Sequence, residues 1–142
     1  MFGSDRDSLR RYYRTVWNKA SAGQPLEPLD HLIASVIRAH PEYQALLRDA
    51  EANLGRDYTP ETGQANPFLH MGMHIALQEQ LAGNRPDGIR EVYQQLSRRL
   101  GDSHAVEHQM MECLGETLWE AQHAGREPDE RAYLKRLRRL IR

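Results

Sequence analysis

The stretch Asn66-Pro67-Phe68-Leu69-His70-Met71-Gly72-Met73-His74-Ile75-Ala76-Leu77-Gln78-Glu79-Gln80-Leu81 sets the reading of this chain. Asn66 suits an N-cap and Pro67 the first helical position, so the spacing predicts a helix over 66–81. On a wheel of 100° per residue, His70, Met73, His74, Leu77 and Leu81 share one face. Two imidazoles therefore stand in the first two turns, on the side expected to face the core.

The same periodicity recurs on both sides of that helix. Upstream, Leu9, Tyr12, Tyr13, Val16 and Trp17 predict a helix over about 5–22 that Gly23 ends. Leu29, Leu32, Ile33, Val36 and Ile37 predict a second over 25–39. Pro41 disfavours helical geometry at His40 and opens a third helix carrying Tyr43, Leu46, Leu47 and Leu54. The segment RDYTPETGQA, residues 56–65, has no period and leads straight to the quoted helix. A loop of that length is often functional, and Asp57, Tyr58 and Glu61 are expected to lie over the helix end.

Downstream, Asn84-Arg85-Pro86-Asp87-Gly88 reads as a turn. A fifth helix follows through Ile89, Val92, Tyr93, Leu96 and Leu100 to Gly101. A sixth is capped by Asp102 or Ser103, runs to Ala124 with Met110, Met111, Leu114, Leu118 and Ala121 inward, and stops at Gly125. Pro128 opens a seventh with Tyr133, Leu134, Leu137, Leu140 and Ile141 on one face. No stretch alternates with period two. The expectation is an all-α fold, a compact single-domain bundle of six to seven helices over residues 1–142.

The sixth helix begins with a second His-x3-His, His104 and His108, with Glu112 one turn on. Residues four apart stack about 6 Å apart on one helix face, within reach of a single metal ion. In an up-down-up arrangement the helices over 66–81 and 103–124 run parallel, and both histidine pairs occupy first turns. The expected site lies at their shared N-terminal ends, with His70, His74, His104, His108 and Glu112 as ligands of a divalent metal such as zinc, iron or manganese. The 56–65 loop would form its lid. The positive end of each helix dipole favours neutral imidazole, the form that binds metal. The competing reading is a non-enzymatic interaction module whose histidines form a structural hydrogen-bond network. Both readings stay open, and no catalytic residue is assigned.

Several features take plainer readings. Methionines 71, 73, 110 and 111 with Cys113 would suit soft copper(I), but methionine on an apolar face is ordinarily packing. His40 and Glu42 flank Pro41 as caps, Glu116 and Glu120 form a solvated arc, and Cys113 is a buried thiol with no activating neighbour. Lys135, Arg136, Arg138, Arg139 and Arg142 make a solvated basic face on the last helix.

Composition bounds the function classes. At 142 residues, with 39% hydrophobic and 27% charged residues, the chain is an ordinary globular domain. A net charge of -1 gives no bulk attraction to nucleic acid or a membrane surface. One cysteine excludes a disulfide framework and a thiolate zinc site. No apolar run approaches the ~20 residues of a membrane span, and the N-terminus lacks a signal-peptide core, so a reducing cytoplasm is expected. There is no phosphate-binding glycine loop, Gly-x-Ser-x-Gly elbow or His-Glu-x-x-His motif. A protein partner or a homo-oligomer stays open.

The strings NPFLHMGMHIALQEQ, AHPEY, RDYTPETGQ and HQMMECLGETLWEAQ, with Pro128-Asp129 before the last helix, run nearly end to end. Through them the chain resembles the bacterial domain-of-unknown-function family numbered 1841. The resemblance implies a small cytoplasmic bacterial protein that consists of that domain alone. It carries no activity and transfers no catalytic residue.

Overall fold

The computed structural model describes residues 2–48 and 66–141, with side chains from residue 8 onward. Its described elements are seven helices: α1 (Phe2–Ser21), α2 (Pro28–Arg38), α3 (Pro41–Arg48), α4 (Pro67–Gly83), α5 (Ile89–Leu100), α6 (Ser103–Ala124) and α7 (Glu130–Arg139). No strand occurs among the described residues, so the fold is all-α as expected. Leu54 and the 56–65 loop, with Asp57, Tyr58 and Glu61, lie outside the described residues.

Local chemistry sets most helix ends. The Asn66 carboxamide oxygen accepts the N–H groups of Phe68 and Leu69 at 3.1 Å each, which starts α4. Asp102 caps α6 by accepting from the His104 N–H at 3.0 Å. Gly101 and Gly125 end α5 and α6 in the left-handed region, at φ 70° and 64°, where a Cβ is strained. Two starts differ from expectation. α2 begins at Pro28 rather than Pro25, with extended Glu27 at its N-cap. α7 begins at Glu130 rather than Pro128, because the Asp129 carboxylate accepts from the N–H groups of Arg131 and Ala132 and so makes Asp129 the cap.

The chain forms two compact units, Met1–Ile75 and Ala76–Arg142, and α4 contributes its first nine residues to one and the remainder to the other. In the first unit, α1, α2 and α3 pack pairwise. The core joins Tyr13, Val16, Ile33, Val36, Ile37, Tyr43 and Leu47 to Phe68, Met71 and Ile75 of α4.

Two faces in this unit differ from the periodicity. On α1 the inward face includes Arg10, 3% exposed, whereas Leu9 and Tyr12 are exposed. Arg10 buries its stem and sets its guanidinium 4.3 Å from the Phe68 ring centroid, a cation–π contact that tolerates arginine inside. On α2, Leu29 is exposed and Asp30 is buried, accepting the Tyr12 hydroxyl.

In the second unit, α5, α6 and α7 pack pairwise around Ile89, Val92, Leu96, Val106, Met110, Leu114 and Leu137. The last turns of α4 are tied to them by side chains. Gln78 donates to Glu107, Tyr133 donates to Gln80 at 2.7 Å, and the Arg90 guanidinium reaches the carbonyls of Leu81 and Ala82. Leu118, expected inward, is 40% exposed, and the buried side of α6 instead uses Cys113 and Thr117. Arg136 pairs with Glu116 and Glu120 and donates to Thr117 Oγ1 at 2.9 Å, so part of the expected basic face is used in binding α7 to α6. Among the described residues no helix is long and apolar enough to cross a membrane.

Candidate functional site

In the first unit the α2–α3 junction and the start of α4 meet around histidine. The His-Pro sequence ends α2 at Arg38 and leaves the last carbonyls of that helix without intrahelical donors. The His40 backbone N–H reaches the Ile37 carbonyl at 3.1 Å, and side chains supply further donors. The His40 ring donates from Nδ1 to the Val36 carbonyl at 2.6 Å, and Gln44 donates to the carbonyls of Ile37 and Arg38 at 3.2 Å. His40 is thus a cap, as its sequence position suggests, and it is also buried.

The His40 ring packs against α4. Its centroid lies 4.4 Å from that of His74, which is 1% exposed, and His74 in turn lies 5.0 Å from His70. One ring nitrogen of His74 lies within 4.8 Å of a nitrogen of His40, and one lies within 4.8 Å of a nitrogen of His70. Tyr43, one helical turn beyond His40, closes the group. Its ring stacks on His40 at 4.7 Å and 28°, and its hydroxyl shares a 3.0 Å hydrogen bond with His74 Nδ1. Burial, assisted by the charge of Glu42, pushes the Tyr43 phenol well above its ordinary ionisation range, so it is a neutral hydroxyl at physiological pH.

The sequence-predicted residues fall as follows. His70 and His74 sit together, but His70 is exposed and only His74 is inside. The first half of α4 buries Phe68, Met71, His74 and Ile75, a face rotated from the expected stripe so that His70 stands at its edge. In the second unit His104 and His108 share a helix face, with ring centroids 4.2 Å apart, His104 exposed and His108 half-buried. Glu112 is exposed and lines a cavity of about 270 Å³ with Gln109, Cys113, Glu116, Arg136 and Arg139. Its near surroundings are therefore cationic as well as acidic. Burial first, then the charges of Glu116 and Glu112, raises the Cys113 thiol above its ordinary range, which favours its protonated form.

Two residues of the cluster, His40 and Tyr43, carry no metal-site signal in the sequence. Their relation to His74 joins positions 34 and 31 apart, across which no helical period runs.

A search of known families matches residues 5–139 to the model of a domain of unknown function, DUF1841. The chain belongs to the DUF1841 family. No curated protein and no solved structure matches this DUF1841 chain. The family description carries no activity, so a functional reading of the DUF1841 chain rests on its own side chains.

Proposed function

We propose that this protein binds a divalent metal ion through imidazole ligands, with His74 at the centre of the set. The observation that carries the reading is the buried His74 ring flanked by two further imidazoles, each with a nitrogen within 4.8 Å of one of its own. Imidazole suits zinc, iron and other first-row divalent metals, and three or four such ligands complete a site. The proposed ligands are His70 and His74 on α4 in the first unit, and the His104 and His108 pair on α6 is proposed separately within the second unit. Glu112 is retained as a further candidate, although its cavity neighbours do not favour it. Any reaction supported by the ion would be metal-assisted hydrolysis or redox chemistry.

The test is equilibrium dialysis of untagged protein against zinc, iron(II) and manganese(II). Wild type is expected to retain at least one ion per chain. The double variant His74→Ala/His108→Ala is expected to retain less. Retention by wild type no greater than by the double variant would overturn the proposal.

A second reading is favoured by a specific feature of α6. Trp119 is 59% exposed, stacks at 3.8 Å on His123, and adjoins exposed Leu118. An interaction module would use such an apolar surface, and the His40–Val36 and Tyr43–His74 bonds would then be a purely structural network. Metal retention that depends on His74 separates the two readings.

A further inference from the structure

We infer that His40 is a ligand of the same ion as His74, and that Val36 and Tyr43 are positioning groups that make Nε2 the binding atom of each ring. The inference rests on the metal-binding reading above and extends it to residues of α2 and α3.

A carbonyl oxygen only accepts, so the 2.6 Å contact from His40 Nδ1 to Val36 O requires the proton on Nδ1. In the neutral ring the lone pair is then on Nε2. Metal-bound histidines ordinarily donate their other N–H to a carbonyl, carboxylate or water in this way, which fixes both tautomer and ring orientation. His74 presents the same pattern with a different acceptor. Its Nδ1 lies 3.0 Å from the Tyr43 hydroxyl, an atom able to accept or to donate. Coordination through His74 Nε2 selects the arrangement in which Nδ1 donates to the phenolic oxygen.

Tyr43 thereby controls both rings, one by a hydrogen bond and the other by stacking. Two imidazoles on a tetrahedral ion have their nitrogens about 3.3 Å apart, as follows from bonds of about 2.0 Å. One nitrogen of His40 and one of His74 lie within 4.8 Å of each other, so the rings must draw together by up to about 1.5 Å on binding the ion. The ligand class is a borderline-soft, imidazole-preferring cation, zinc or cobalt(II), rather than the hard, oxygen-preferring magnesium or calcium.

Cobalt(II) titration followed by visible absorption tests this, because its d–d bands report ligand number and geometry. Three variants are compared with wild type: Tyr43→Phe keeps the stack and removes the hydroxyl, His40→Asn keeps an N–H for Val36 and removes the ring nitrogen, and His74→Ala removes the central ligand. Wild type is expected to develop d–d absorption. Tyr43→Phe is expected to bind cobalt 10–100-fold more weakly with shifted bands, the usual cost of losing an outer partner. His40→Asn is expected to lose intensity as a ligand is lost, with its helical circular dichroism unchanged.

Wild-type affinity and bands in both Tyr43→Phe and His40→Asn, with loss only in His74→Ala, would overturn the inference and leave the metal-binding reading standing. No cobalt absorption in wild type would refute that reading and this inference with it. Should Tyr43→Phe fail to fold, the His40→Asn spectrum decides alone.

Discussion

Replacing His74 by leucine separates a metal ligand from a structural histidine by magnitude. His74 is 1% exposed and shares a hydrogen bond with the Tyr43 hydroxyl at 3.0 Å. Losing that bond costs about 1 kcal/mol, and a buried hydroxyl left unsatisfied costs about 1–3 kcal/mol. Leucine has similar bulk and recovers about 1.5–3 kcal/mol by burying apolar surface. The metal-free variant should therefore be within about 2 kcal/mol of wild type.

The metal-loaded comparison is larger. An ion at 100 times its dissociation constant stabilises the folded state by about 2.7 kcal/mol. For a chain of this size, 1 kcal/mol moves the melting temperature by about 3–4 °C. Differential scanning calorimetry should show wild type rising by about 8–11 °C with zinc, while His74→Leu rises by about 2 °C or less. An equal rise in both proteins would refute the assignment of His74 as a ligand, and a rise in neither would refute metal binding.

Other outcomes follow from the fold. Asn66→Ala removes the acceptor for two N–H groups at the start of α4 and should destabilise the protein by about 1 kcal/mol in urea denaturation, while Asn66→Asp should restore most of it. Leu137→Ala opens space at a fully buried position of the second unit and should cost about 2–5 kcal/mol, read in the same titration; a cost below 1 kcal/mol would contradict its place in the core. Cys113, buried and with its thiol raised above the ordinary range, should react with iodoacetamide far more slowly at pH 8 in native protein than in denaturant. Comparable native and denatured rates would contradict that placement.

The fold was legible because its signals are local. Asn66, Asp102, Gly101 and Gly125 act at the helix ends where their side chains or backbone freedom direct them. Where the reading failed, the deciding contact was remote or a residue could play either of two roles. Pro128 is a good first helical residue, but the Asp129 carboxylate takes the two nearest N–H groups and moves the start to Glu130. Arg10 lies inside because Phe68, 58 positions away, offers its ring face, and no α1 periodicity contains that information.

The candidate site divides in the same way. The His-x3-His spacing correctly placed His70 beside His74 and His104 beside His108, since helical geometry alone brings residues four apart together. Which of each pair is buried depends on neighbouring helices, so the exposure of His70 was not legible. His40 was read as a cap and is one; its contact with His74 comes from the packing of the α2–α3 junction on α4.

The central claim is that the imidazoles hold a metal. The most direct measurement is elemental analysis of protein purified without a histidine tag or chelator, paired with thermal melts before and after re-addition of zinc, iron and manganese. Near-stoichiometric metal, lost on chelation and restored together with the higher melting temperature, is the predicted result. Metal at background level, with a melting temperature that none of the three ions moves, would contradict the account and leave His40, Tyr43 and His74 as a structural network.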